Sequence, residues 1–233
     1  MIKSITVILI LLLLSPIVCA FESATGELVL KYDNDSEYCL YVPTTYSGTD
    51  TLPLVMALHG AGDNHFKFFK KYNKGIIKVF AEQYKMLVAC PQGDPSYGWN
   101  GPGEKDFQRV FQNVKMKYRV DPKRCYLLGH SMGGGAAIYF SIKYPNRFAA
   151  VAVCAPSMAE PSWAPYLKKT PLYIAHGSDD PIVSVGFIKR FVDALKDVDA
   201  PLTYYEIPGA DHNNYVPDQF GPIFEWFQDK KLK

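Results

Sequence analysis

Apolar residues fall along this chain in two alternating textures. Short, nearly continuous runs recur at 27–32, 38–42, 54–58, 86–89, 125–128, 150–154, 172–175 and 203–207. Their length and their β-branched and aromatic content predict strands. Longer stretches between them carry a helical period. Phe107, Val110, Phe111, Val114 and Tyr118 repeat at i, i+3, i+4, i+7 and i+11, and Val185, Ile188, Phe191, Val192 and Leu195 do likewise. Asp121-Pro122 is expected to end the first helix, and Pro145 the helix that follows residue 131. Strand–helix–strand alternation predicts a mostly parallel sheet with helices on both faces. The first two runs are separated only by residues 33–37, too few for a parallel crossover, so the sheet should open with an antiparallel pair. No internal repeat, low-complexity tract or linker divides the chain. The prediction is one α/β domain of about eight strands.

Residues 1–20 do not belong to that pattern. Lys3 precedes an almost wholly apolar run over 5–14, and Val18-Cys19-Ala20 offers a cut before Phe21. This composition predicts a secretory signal peptide, with a single catalytic domain over 21–233. A membrane anchor is the alternative, but the run is short of the ~20 residues a span needs. After cleavage no membrane association is expected, and the product should be secreted. With 25 Lys and Arg against 23 Asp and Glu, the chain is near neutral. Nothing in that balance points to nucleic acid or to an anionic membrane surface. Hydrophobic residues make up 48% and aromatics 14%, which supports a well-packed core over disorder. Cys39, Cys90, Cys125 and Cys154 lack metal-ligand spacing, so no metal site is expected. They are buried thiols or, alternatively, include a Cys39–Cys90 bridge, which export would permit. Asn34-Asp35-Ser36 is the one glycosylation sequon.

Four segments carry candidate chemistry, and all four close predicted strands. Gly129-His130-Ser131-Met132-Gly133 lies between the 125–128 run and the small-residue stretch Gly134-Gly135-Ala136-Ala137. Strand, tight turn and helix start are what a G-x-S-x-G nucleophile elbow needs, and they make Ser131 the nucleophile, against its use as a plain helix cap. His130 is expected to point elsewhere in the turn. Leu58-His59-Gly60-Ala61-Gly62-Asp63 forms a glycine-rich turn able to aim a backbone N–H at a developing oxyanion. The two donors predicted are the N–H groups of Ala61 and Met132, with His59 a structural hydrogen-bonder beneath the turn. His176-Gly177-Ser178-Asp179-Asp180-Pro181 offers two carboxylates for orienting a base; Asp180 is preferred, because Asp179 suits turn hydrogen bonds. Pro208-Gly209-Ala210-Asp211-His212, after the last strand, supplies His212 as the base.

Nucleophile, acid and base thus follow in the order Ser, Asp, His, and the chain resembles the α/β-hydrolase superfamily. More narrowly it is similar to secreted esterases that group feruloyl and acetylxylan esterases with polyhydroxybutyrate depolymerases. Leu58-His59-Gly60-Ala61-Gly62-Asp63-Asn64, Tyr97-Gly98-Trp99-Asn100, Val120-Asp121-Pro122-Lys123-Arg124-Cys125-Tyr126 and Tyr144-Pro145-Asn146-Arg147-Phe148-Ala149-Ala150 carry the likeness. The resemblance implies Ser131, Asp180 and His212 as the triad, Ala61 and Met132 as oxyanion donors, and no cofactor. His130 departs from many depolymerases, and the Leu-His-Gly-x-Gly-Asp run is also similar to small carboxylesterases and acyl-thioesterases. The segment from Ser131 to Asp180 must hold a helix, two strands and a loop, which leaves no room for a large lid. An accessible ester, small or linked to a polysaccharide, is the expected substrate. The 155–169 loop, with Met158, Trp163 and Tyr166, is expected to line its pocket, together with Trp99 and Tyr215. A non-catalytic binding protein on the same fold would be expected to lack part of the triad.

Overall fold

A computed structural model of the protein describes residues 21–32 and 36–233; the leader and Asn34 of the sequon lie outside the described residues. Within them eight strands form one sheet: β1 (Gly26–Lys31), β2 (Glu37–Val42), β3 (Leu52–Leu58), β4 (Leu87–Pro91), β5 (Val120–His130), β6 (Ala150–Cys154), β7 (Leu172–Gly177) and β8 (Leu202–Ile207). Their spatial order is β1-β2-β4-β3-β5-β6-β7-β8. β1 and β2 pair antiparallel, as does β2 with β4, and every later pair is parallel. This is the mostly parallel sheet with an antiparallel start that the run lengths predict.

Among the described residues five α-helices flank it: α1 (Ile77–Gln83), α2 (Pro102–Lys117), α3 (Met132–Lys143), α4 (Val185–Asp197) and α5 (Val216–Gln228). Strand residues alternate between two layers. Leu54, Met56 and Leu58 of β3 pack with Phe107 and Val110 of α2, Ile138 and Phe140 of α3, and Phe191 of α4. Val55 and Ala57 face the other way, onto Ile77 of α1 and Phe220, Phe224 and Phe227 of α5. Both faces of the central strands are therefore dry, which explains their unbroken hydrophobic runs.

One boundary and one helix differ from the expectation. α2 ends at Lys117, and Asp121-Pro122 already belongs to β5. The β3–β5 register shifts between Leu52 and Leu54, and that irregularity takes in the proline, which has no N–H for the ladder. α5 escaped the period analysis because Pro217 and Pro222 interrupt its pattern; its apolar face is nevertheless Val216, Phe220, Ile223, Phe224 and Phe227. Cys39 and Cys90 sit directly opposite each other across β2 and β4, and all four described cysteines are free and buried.

The parallel strands β3, β5, β7 and β8 all end at one edge, and each hands the chain to one of the four chemistry-bearing segments. Open α/β sheets place ligands at that carboxyl edge.

Candidate active site

Ser131 occupies the sharp turn between β5 and α3 with φ 54° and ψ −120°, a backbone conformation that side-chain-bearing residues rarely adopt. Its neighbours make the turn possible. A Cβ on Gly129 would lie 2.3 Å from the Gly133 carbonyl oxygen, and one on Gly133 would lie 2.0 Å from that of Leu58. Only glycine lets α3 start this close to the ends of β5 and β3. The Ser131 backbone is held from both sides: its N–H donates to the Cys154 carbonyl (3.0 Å), and its own carbonyl accepts from Ser157 N–H (3.0 Å). The strained residue is thus fixed and half-exposed at the sheet edge.

The turn after β3 runs alongside it. A Cβ on Gly60 would lie 3.2 Å from Ser131 Cβ, which sets the Gly60-Ala61 segment against the serine. Met132 follows Ser131 as the first residue of α3, where helix geometry leaves the N–H groups without intrahelical partners. Met132 N–H and the turn that carries Ala61 thus lie on either side of Ser131 in the chain's path. Beneath this turn His59 is buried, with Nε2 2.7 Å from the Gln92 carbonyl oxygen and Nδ1 2.9 Å from that of Gly60. Trp99 Nε1–H donates to the His59 carbonyl (3.0 Å), and the two rings lie 4.9 Å apart. The loop after β4 is in turn fixed by Asp106 of α2, whose carboxylate accepts from Gly93 N–H (2.7 Å) and from the Tyr32 hydroxyl. Burial raises the Asp106 pKa.

At the ends of β7 and β8 the two neighbouring aspartates differ in what they bond. Asp180 Oδ2 accepts from His212 Nδ1 at 2.7 Å, while Oδ1 accepts from the N–H groups of Ile182 (2.8 Å) and Val183 (2.9 Å). Burial pushes the Asp180 pKa up, but hydrogen bonds from Val183 N–H, His212 and Ile182 N–H outweigh it, and the net shift is downward. Asp179 is exposed and accepts only a turn hydrogen bond from Ser178 Oγ (2.7 Å). His176 is fully buried and its Nε2–H donates to the Val183 carbonyl (2.8 Å), closing the loop around Asp180. The base loop is laced to the acid loop: Asp179 N–H donates to the Ala210 carbonyl (3.0 Å), and Gly209 N–H to Ser178 Oγ (2.8 Å). Asp211 Oδ1 accepts from Asn213 and Asn214 N–H, making the tight turn that presents His212.

His212 is held against the serine's neighbour, His130. His130 Nε2 lies 2.9 Å from the His212 carbonyl oxygen, and the two imidazole rings are 4.9 Å apart. His130 does not point away from the site, as the sequence reading had it; it is buried between His212 and Tyr72. The hydrogen bonds of His212 run through Nδ1 and the main-chain carbonyl, which leaves Nε2 as the ring atom available to a serine hydroxyl. In enzymes without substrate that last bond is often long and tightens on binding.

A cavity of about 270 Å³ opens beside Met132, lined by Trp99, Asn100, Met132, Tyr139, Met158 and Trp163 among others. Trp163 sits on a 3₁₀ segment, Pro161–Leu167, with its ring 6.0 Å from that of Tyr139. Trp99 reaches the cavity but is only 3% exposed, so most of its surface supports the turn after β3. Two expected lining residues lie elsewhere. Tyr215 is 4% exposed, with its hydroxyl donating to the Ala175 carbonyl (2.9 Å) in the α5 layer. Tyr166 is 71% exposed, on the outside of the 3₁₀ segment. Met158 and Trp163 line the cavity as expected, whereas Tyr139 was not anticipated: it lies on α3, whose sequence signal is its run of glycines. Among the described residues no group of three or more His, Cys, Asp or Glu side chains is placed to hold a metal ion.

The esterase family model matches residues 32–185, more than half of the chain. The chain belongs to that family, within the α/β-hydrolase superfamily. The chain is 27% identical over 205 residues to a bifunctional acetylxylan esterase/xylanase of Neocallimastix patriciarum, a match that takes in 83% of this chain and 29% of the relative. It thus spans less than a third of that relative's length. Among solved structures, an S-formylglutathione hydrolase from Staphylococcus aureus superposes with a TM-score of 0.75 at 18% identity, covering 88% of this chain and 96% of the other. A ferulic acid esterase from Anaeromyces mucronatus, solved with ferulic acid, superposes at 0.68 and 16% identity, covering 90% and 92%. These superpositions establish the shared fold.

Proposed function

We propose that this esterase is a secreted serine hydrolase that cleaves carboxylic esters through Ser131, His212 and Asp180, with feruloyl or acetyl esters of polysaccharide as its substrates. The observation that carries the chemistry is the 2.7 Å His212–Asp180 hydrogen bond formed beside a serine on a strained elbow. Asp180 holds the proton on His212 Nδ1, which leaves Nε2 to take the Ser131 proton. Ser131 Oγ attacks the ester carbonyl, the tetrahedral oxygen faces the Ala61 and Met132 N–H groups, and protonated His212 gives its proton to the departing alcohol. Water, deprotonated by His212, then releases the acid and frees the serine.

The substrate class is supported by the aromatic cavity beside Met132 and by the names of the relatives, acetylxylan esterase and ferulic acid esterase. A planar phenylpropenoyl group suits walls made of Trp99, Tyr139 and Trp163, where ring contacts add ~0.5–1.5 kcal/mol each beyond burial. Export is supported by the apolar leader in residues 1–20. Comparing initial rates on methyl ferulate, acetylated xylan, hydroxybutyrate oligomers and a short S-acyl thioester tests the substrate class, with Ser131→Ala as control. Highest kcat/KM on the first two is expected. A preference for hydroxybutyrate or thioester would replace the cell-wall substrate, and a fully active Ser131→Ala would remove the serine mechanism.

A further inference from the structure

The base of an esterase has to be held in two respects: its ring must present the right nitrogen, and its main chain must keep that nitrogen near the nucleophile. Asp180 does the first through His212 Nδ1. The second falls on a loop, the stretch between β8 and α5, whose irregular backbone is a poor anchor by itself.

Hydrogen bonds at Gly209 and Ala210 tie that loop to the acid loop, and His130 adds an attachment to the nucleophile's own strand. It is the last residue of β5, directly before Ser131, and is only 3% exposed. Its Nε2 lies 2.9 Å from the His212 carbonyl oxygen and its Nδ1 lies 2.8 Å from the Tyr72 hydroxyl. A carbonyl only accepts, so Nε2 carries the proton; Nδ1 then has a lone pair and accepts from the phenol. Burial pushes the His130 pKa down to about 4 and raises that of Tyr72, so both stay neutral at pH 7. The groups acting electrostatically on His130 are His212, Lys67 and Asp180. Tyr72 is fixed in its own right. Its ring meets His130 edge-on at 5.8 Å and Phe220 of α5 at 5.6 Å. Lys67 lies 4.9 Å from the Tyr72 ring centroid and also pairs at 2.7 Å with Asp63, next to the Gly60-Ala61-Gly62 turn.

We propose that His130 is a positioning residue for ester cleavage: its Nε2–H holds the His212 carbonyl at a fixed distance from the elbow, and Tyr72 holds His130 in the tautomer that can do so. The nucleophile and the base loop are thereby joined through adjacent residues of one strand end, so the His212 imidazole is anchored at both its ring and its main chain. The role assumes Ser131 and His212 as nucleophile and base. A misplacement of ~1 Å at a reacting group can lower a rate by about 100-fold, which sets the scale of the effect.

The test measures kcat and KM on 4-nitrophenyl acetate, with thermal melts, for wild type, Ser131→Ala, His130→Ala, His130→Gln, His130→Asn and Tyr72→Phe. His130→Ala should lower kcat by about 10- to 100-fold and leave KM within about threefold. His130→Gln should recover most of the loss, because its amide nitrogen takes the place of Nε2 and can donate to the carbonyl. His130→Asn, whose amide ends at the position of Nδ1, should stay slow, and Tyr72→Phe should fall between wild type and alanine. His130→Ala within twofold of the wild-type kcat, or glutamine no faster than asparagine at equal melting temperature, overturns the proposal. Should the alanine variant not fold, the glutamine–asparagine comparison decides alone. An active Ser131→Ala would instead show that the serine assignment fails. An inactive Ser131→Ala beside unaffected His130 variants shows that only the positioning role does.

Discussion

Replacing Asp180 by Asn keeps the shape of the acid and removes its charge, and the surrounding hydrogen bonds dictate how the new amide must sit. Asp180 Oδ1 accepts two main-chain N–H groups, from Ile182 and Val183. Only the amide oxygen of Asn can satisfy them, so its NH2 must turn toward His212 Nδ1. That nitrogen now faces a donor and has to become an acceptor, which drives the His212 proton onto Nε2. An imidazole protonated at Nε2 cannot take the Ser131 proton. The site is closed to water at the acid, with the Asp180 side chain fully buried, so no solvent molecule relieves the mismatch. A wrong tautomer in a triad costs kcat about 10⁴-fold, or ~5.5 kcal/mol of barrier. Asp179→Asn should change kcat by no more than about twofold, since its carboxylate is exposed and bonds only Ser178. Stopped or steady-state hydrolysis of 4-nitrophenyl acetate at pH 8 measures both, alongside thermal melts. An Asp180→Asn enzyme within tenfold of wild type, or an Asp179→Asn enzyme equally impaired, would refute the assignment of the acid.

Three further outcomes follow from the same structure. His130 has a folded pKa of about 4 against an unfolded value of ~6.5, so between those values the unfolded chain binds more protons there and stability falls as pH drops through that window, by on the order of 3 kcal/mol in all. Urea melts at pH 7 and pH 4 should show a loss that is smaller in His130→Gln; equal losses would contradict this. Gly133→Ala drives a Cβ to 2.0 Å from the Leu58 carbonyl and 2.5 Å from that of His59, so it should either fail to accumulate as folded protein or lose over 100-fold in rate, and a variant with wild-type melting and activity would show the elbow to be more pliable than its geometry. Trp163→Ala should lower kcat/KM on methyl ferulate by about tenfold, the value of one ring contact, and far less on an acetyl ester; equal losses on both would take Trp163 out of acyl recognition.

How far the sequence revealed all this depended on whether a signal was local. Strand runs such as 150–154 were legible residue for residue, because a strand buried on both faces writes itself as an unbroken apolar stretch. Ser131, Asp180 and His212 could be singled out as candidates from sequence because each lies shortly after a strand end. α5 was not legible, since two prolines mask an apolar face that only packing against Tyr126 and its neighbours makes evident; the Tyr126 and Phe227 rings stack at 4.5 Å. Tyr215 was misplaced because an aromatic next to a site histidine reads the same whether it faces solvent or the core. The direction of His130 was missed for a related reason. Its partners, Tyr72 and the main chain of His212, are 58 and 82 positions away, and no local pattern records a side chain's aim across the fold.

Under the proposed mechanism one hydroxyl, Ser131 Oγ, becomes acylated. Incubating the protein with a fluorophosphonate ester and weighing the intact chain and its peptides tests it directly. One adduct per chain is expected, on the peptide containing Ser131, forming at the rate at which ester hydrolysis is lost and absent from Ser131→Ala. An adduct mapped to another residue, or full ester hydrolysis by a chain fully phosphonylated at Ser131, would contradict the account.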